Sequence, residues 1–228
     1  MGHGSSTRIL AIRHGETAWN VDTRIQGQLD IPLNDTGLWQ AERTAEALVD
    51  EEIAVLYASD LVRAAATADA ISRRMGLPVR HDTGLRERHF GLFQGRTVAE
   101  IEAIHPDLVK RWKSREPDFE PEGAESLRTF YARSIETAHR LAAAHPGQTV
   151  VMVAHGGVLD CLYRAACGMP IEAPRTWQLG NASINRLLFT GTRLTMVGWG
   201  DTQHLDGAAL EESSDGGRSG STPAHSLS

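Results

Sequence analysis

An α/β fold is predicted: a three-layer sandwich with a mainly parallel sheet flanked by helices, one edge strand antiparallel, and a small, mostly helical insertion over the sheet. Three observations predict it. Short apolar runs alternate with helix-periodic segments, the rhythm that builds strand–helix–strand units. Two of the runs, in "LAIRHGETAWN" from Leu10 and "VVMVAHGGVLD" from Val150, stop on a His-Gly pair, His14-Gly15 and His155-Gly156. After Gly84 the regularity lapses, and it returns only with a long helical pattern from Ser126.

The elements follow in order. Arg8 to Arg13 reads as a strand. "NDTGLWQAERTAEALVDEE" reads as a helix with Leu38, Ala41, Ala45 and Leu48 on one face and Asn34, Asp35 and Thr36 offering caps. "AVLYASD" is a short buried strand ending at Ser59, where Asp60 can cap the helix "LVRAAATADAISRRM", closed by Gly76 and Pro78. An insertion of about residues 88–125 carries two helical pieces, Val98 to Ile104 and Asp107 to Arg115. A helix from Ser126 to about Ala144 precedes the Val150 strand, and another runs from His155 to about Cys167. "INRLLFT" and "RLTMVGW", joined around Gly191, form a hairpin at the sheet edge. The expectation is one domain, 8–210, between a disordered leader, 1–7, and a Ser/Gly-rich disordered tail, 211–228.

At 228 residues and 41% hydrophobic content, the chain can bury a core without disulfide or metal staples. A formal net charge of -6 without a polybasic run argues against nucleic acid or an anionic membrane as partner. It leaves an anionic small molecule open, because the field in a cleft is set by its nearest groups. The two cysteines, Cys161 and Cys167, match neither a zinc pair nor a redox pair and read as buried, reduced thiols. With no signal peptide and no membrane-length apolar run, a cytoplasmic location is expected. "MGHGSS" formally fits a myristoylation start at Gly2, a loose pattern that accident also produces.

Parallel strands deliver their carboxyl ends to one edge, where open α/β sheets bind ligands, so His14 and His155 are expected to converge there. Gly15 and Gly156 would permit backbone conformations and close ligand approach. Ser59, Asp60 and Arg63 follow the strand between them, bringing a third basic side chain to that edge.

These residues resemble the histidine phosphatase superfamily, which includes the cofactor-dependent phosphoglycerate mutases and many small-molecule phosphatases. The resemblance lies in "RHGET" with Asn20, "RIQGQLDIPLN", "SDLVRAAATA", "LRERHFGLFQG", "PEGAESL" and "VAHGGVLD", in that order, from Arg8 to about Leu205. It implies His14 as nucleophile, Arg13 and Arg63 as phosphate ligands, His155 as a transition-state donor and Glu87 as proton donor and acceptor. Gly15, Asn20, Gln26, Gly27 and the Gly156 backbone would complete the phosphate cradle, with the insertion over this active site. His89, beside the presumed acid, would either bind substrate or fill the cleft wall.

The chemistry explains these residue types. A phosphomonoester repels anionic nucleophiles, whereas neutral imidazole can attack phosphorus, and neighbouring cations disfavour its protonated form. Guanidinium forks suit the equatorial oxygens of the transition state. His81, His105, His139, His145 and His204 show no metal-ligand spacing and read as surface residues, so no metal is expected. Lys110, Arg111, Lys113 and Arg115 read as a solvated helix face beside Trp112 and Phe119. The expected ligand is a small phosphorylated metabolite, and a homodimer is compatible with the sequence. The resemblance favours a phosphatase, because the insertion is short and has Val98 and Phe90 where the mutases carry a lysine and a tyrosine. A mutase, with 2,3-bisphosphoglycerate as its cofactor, and a non-catalytic binding module are the alternatives; a phosphatase needs no cofactor.

Overall fold

A computed structural model describes residues 6–206. The Gly2 motif, the tail and most of the leader lie outside that range. The strands are β1 (Thr7–Arg13), β2 (Ile53–Ala58), β3 (Val79–His81), β4 (Thr149–Ala154), β5 (Ile184–Phe189) and β6 (Leu194–Asp201). They form one sheet in the order β3-β2-β4-β1-β5-β6. β1 to β4 run parallel, and the expected edge hairpin is β5–β6, with β5 antiparallel to both of its neighbours.

The helices are α1 (Ala18–Val21), α2 (Asp35–Ala47), α3 (Val62–Met75), α4 (Val98–Ile104), α5 (Pro106–Lys113), α6 (Leu127–Ala143) and α7 (Gly156–Cys167). Strand alternation assigns them to layers. Ile9 and Ala11 of β1, with Val150 and Met152 of β4, pack against Phe130 and Leu141 of α6 and Val158 and Leu162 of α7. Leu10, Ile12, Val151 and Val153 point the other way, onto Ala41 and Ala45 of α2 and Ala64, Ala68 and Ile71 of α3. Both faces of the central strands are thus covered, which is why they read as unbroken apolar runs. The insertion holds its own small core of Phe93, Ile101, Val109 and Phe119.

The structure corrects several local expectations. Leu38 is 51% exposed. The buried stripe of α2 is instead Gly37, Ala41, Thr44 and Ala45, because Gly37 lies where a Cβ would come within 2.0 Å of the Glu16 carbonyl oxygen. Asp60 does not cap α3. Its carboxylate pairs with Arg86 at 2.5 Å, while Asp30, from a distant loop, accepts the Val62 amide at 2.7 Å. β1 begins at Thr7, whose buried hydroxyl donates toward the carbonyls of Ala142 and His145. Cys161 is buried but Cys167 is exposed. His81 is exposed as expected, whereas His139 packs on Phe189 and His145 meets the Tyr57 hydroxyl at 3.0 Å, both half-buried.

Candidate active site

The two His-Gly breaks are register neighbours. Arg13 pairs with Ala154 across β1 and β4, so the next residue on each strand is a histidine, and the His14 amide donates to the Ala154 carbonyl at 3.0 Å. The ring centroids of His14 and His155 lie 5.2 Å apart, with planes inclined at 57°. Both rings are buried.

Hydrogen bonds define what each ring offers. His14 Nδ1 is 2.6 Å from the Gly15 carbonyl, which only accepts, so Nδ1 carries the proton and Nε2 is left with its lone pair. Burial, then Arg63 and Arg13, holds the His14 pKa well below its ordinary value, so the ring stays neutral. His155 Nε2 lies 2.8 Å from the Ser59 hydroxyl, which already accepts the Leu61 amide. That hydroxyl has no other acceptor among the described residues, so its proton satisfies a bond only when aimed at Nε2. The imidazole proton of His155 is then on Nδ1, a buried atom with no protein partner. His155 is also held neutral by burial, then by Arg63, His14 and Arg13.

The arginines are anchored to backbone. Arg63, at the start of α3 and 1% exposed, donates to the carbonyls of Gly27 at 2.7 Å and Leu29 at 2.8 Å, and its Nε has no partner. Burial draws its pKa down to about 10, still charged at neutral pH. Arg13 donates through Nη1 to the Leu179 carbonyl, with Nε unpartnered. Glu87 is clamped by two amides, Arg88 N–H to Oε1 at 2.8 Å and Gly157 N–H to Oε2 at 2.9 Å.

A cavity of about 180 Å³ is lined by Arg13, His14, Asn20, Gln26, Gly27, Arg63 and Glu87, among others, so the structure brings these expected residues together. Asn20 Oδ1 caps α1 by accepting the Thr17 amide at 3.0 Å, which leaves its amide nitrogen unbonded. Gln26 Oε1 is buried without a partner. Gly27 has φ +53, a left-handed conformation that favours glycine, and its carbonyl orients Arg63. A larger cavity of about 640 Å³ shares Arg13, Glu87 and Phe90 and extends to Trp112, Arg115, Asp160, Arg175 and Trp177.

Other expectations shift. Gly15 and Gly156 have no positive φ. A Cβ on Gly15 would fall 2.4 Å from the Gly37 carbonyl oxygen, so the need there is packing against α2 rather than ligand approach. The glycine crowded against the acid is Gly157, whose Cβ would lie 2.1 Å from Glu87 Oε1. His89 lines neither cavity; its Nδ1 accepts the Gly91 amide at 3.1 Å and its own amide donates to Glu125. In the basic stretch, Arg111 and Lys113 are solvated and pair with Glu116 and Glu102, but Arg115 turns inward onto Asp160 at 3.0 Å. Phe119 is buried rather than lining either of these cavities.

Sequence reading gave no role to Ser59 or Asn181. The Asn181 amide lies within 3.1–3.2 Å of the His14 and Gly15 carbonyls and Asn20 Oδ1, tying the first His-Gly turn to a distant loop. A serine directly after a buried strand was the available signal for Ser59. Asn181 had none.

A doubly wound sheet whose strand ends hold two neutral imidazoles among arginines defines a class of anion-handling α/β proteins. The model of the histidine phosphatase superfamily (branch 1) matches residues 9–202, and the chain belongs to that family. It is 41% identical over 213 residues to phosphoglycerate mutase-like protein 4 of Arabidopsis thaliana, covering 92% of this chain and 91% of that one. It is 37% identical over 214 residues to the metal-independent phosphoserine phosphatase of the same plant, covering 92% and 88%. Its fold superposes on mycobacterial glucosyl-3-phosphoglycerate phosphatase in complex with VO3 with a TM-score of 0.77, at 38% identity, over 86% of this chain and 99% of the other. Among the described residues there is no cluster of three or more His, Cys, Asp or Glu side chains suited to a metal. No helix there is long and apolar enough to cross a membrane.

Proposed function

We propose that the chain is a metal-independent phosphatase of a small phosphorylated metabolite, requiring no cofactor and acting through a phosphohistidine on His14. The observation that carries this is the unprotonated His14 Nε2 in a small cavity walled by Arg13 and Arg63, with the His155 ring 5.2 Å away and Glu87 on the rim. In the first step His14 Nε2 attacks phosphorus and the ester P–O bond breaks. Glu87 gives its proton to the leaving alkoxide. In the second, Glu87 takes a proton from water, the resulting hydroxide attacks phosphorus, the P–N bond breaks and phosphate leaves. Arg13, Arg63 and His155 Nδ1–H stabilise charge on the equatorial oxygens in both steps.

Hydrolysis rather than transfer to a second substrate is favoured by the named phosphatases among its relatives. It is also favoured by Val98, which packs in the insertion core and supplies no cation. The test is a phosphomonoester panel with a chelator present, run beside 3-phosphoglycerate plus 2,3-bisphosphoglycerate, following free phosphate and isomerised product separately. Phosphate release that survives chelation and disappears in His14→Ala is expected. Isomerisation outrunning release would establish the mutase, and silence throughout would leave a binding module.

A further inference from the structure

Arg133, on α6, lines neither cavity, yet all five of its N–H groups are engaged around the segment that carries Glu87. Nη1 donates to the carbonyls of Gly84 at 2.9 Å and Arg86 at 3.0 Å, and Nη2 to that of Glu87 at 3.3 Å. The remaining two, on Nε and Nη2, form a bidentate pair with the Glu125 carboxylate at 2.8 Å and 2.7 Å. Glu125 then grips the far side of the same segment. Its carboxylate accepts the His89 amide at 2.9 Å, and its own amide donates to the His89 carbonyl at 2.8 Å.

Residues 86–89 belong to no helix or strand, so no ladder fixes their peptide planes. One of those planes bears on the chemistry. The Glu87–Arg88 peptide is a rigid unit with the Glu87 carbonyl on one side and the Arg88 amide on the other. Its carbonyl is held by Arg133 and, at 3.1 Å, by Gln28, while its amide holds Glu87 Oε1 at 2.8 Å. Rotating the plane would draw that amide off Oε1 and leave the carboxylate on the Gly157 amide alone.

The structure assigns Arg133, braced by Glu125, the task of holding the proton donor in place: it is a positioning residue that acts on the reaction through the Glu87 carboxylate. This rests on the reading of Glu87 as the acid. Two features set Arg133 apart from an ordinary ion-pair partner. None of its N–H groups is left for a ligand, and three of its five acceptors are carbonyls within three residues of the acid.

The test is kcat/KM, which covers the steps through ester cleavage, for benzyl phosphate and 4-nitrophenyl phosphate in wild type, Arg133→Met, Glu87→Gln and the double variant. The two esters are similar in size, and only the benzyl alkoxide needs a proton to leave. Arg133→Met should lower kcat/KM for benzyl phosphate by about 10- to 100-fold, the scale of misplacing a catalytic group by an ångström. The loss on 4-nitrophenyl phosphate should be less than about threefold. In the Glu87→Gln background Arg133→Met should cost nothing more, because the two act as one unit. An equal loss on both esters, a loss that persists in the Glu87→Gln background, or no loss at all overturns the inference. Should Arg133→Met fail to fold, Glu125→Gln, which breaks the bidentate pair at nearly constant volume, is judged by the same esters and the same background. The Glu87→Gln single variant separates the two readings. A uniform loss there overturns the acid assignment and the inference with it, whereas a benzyl-selective loss there beside a uniform Arg133→Met loss overturns the inference alone.

Discussion

The two adjoining cavities are built by different means. In the smaller one, the functional groups hang on main chain: His14 on the Gly15 carbonyl, Arg63 on those of Gly27 and Leu29, and Glu87 on two amides. In the larger one, side chains also hold side chains, alongside the backbone carbonyls that Arg88 and Arg115 reach. Arg115 is set by Asp160, Asp160 by Arg164, and Trp177 by stacking on Tyr163 at 4.0 Å and under Arg164 at 4.8 Å. Backbone anchors survive most substitutions, whereas a side-chain network changes with any member. The smaller cavity thus leans on the backbone more heavily than the larger one does.

Four substitutions or conditions would break or sharpen that contrast. The largest effect is expected from His14→Ala, which removes the proposed nucleophile and should lower kcat by ~10^4-fold or more on every phosphomonoester, whatever fills the larger cavity. Glu87→Gln should cost about 10^2- to 10^4-fold, the usual span for a general acid. The loss should be smallest on aryl phosphates, whose leaving groups need no proton; a uniform loss across leaving groups would deny Glu87 that role.

Ser59→Ala should lower kcat by about 10- to 100-fold, the worth of one buried hydrogen bond to a group acting in the transition state. Nitrogen NMR of His155 should show its proton move from Nδ1 in the wild type to a mixture in the variant, and Ser59→Thr should restore both readouts. A Ser59→Ala protein with normal kcat and an unchanged tautomer would mean that the serine only fills space.

The smallest effect concerns stability. His14 and His155 have folded-state pKa values well below the ordinary 6.5, so the unfolded chain takes up protons that the folded chain refuses. Their contribution is undiminished above about pH 6.5, the unfolded value, and stability is lost as pH falls below it. The urea midpoint should therefore drop between pH 7 and pH 5, and less steeply in a His14→Asn, His155→Asn variant. Equal slopes would show that other groups govern acid sensitivity.

The same contrast explains what the sequence could reveal. His14, Arg13 and His155 were legible because each sits at the end of an apolar run, and a parallel sheet sends such ends to one edge. Arg63 was legible as a basic residue just after the strand between them, whereas Glu87, Asn20 and Gln26 were legible only by resemblance, since nothing in their spacing brings them to His14. The α2 face was misjudged at Leu38 because a backbone contact between Gly37 and Glu16 turns the helix, and periodicity does not register such contacts. Asp60 was misread as a cap because its partner, Arg86, is 26 residues away. The larger cavity was mostly hidden. Trp177 and Arg175 lie in an irregular loop, and the inward turn of Arg115 depends on Asp160, 45 residues on.

The central claim is that phosphate passes through His14. Rapid acid-free quenching of wild-type enzyme during turnover of a labelled phosphomonoester, followed by peptide mass spectrometry, tests it most directly. The expected result is an acid-labile, base-stable phosphoryl group on the peptide containing His14, formed and discharged at rates compatible with kcat. Turnover with no such adduct, or with the label on another residue, would contradict it.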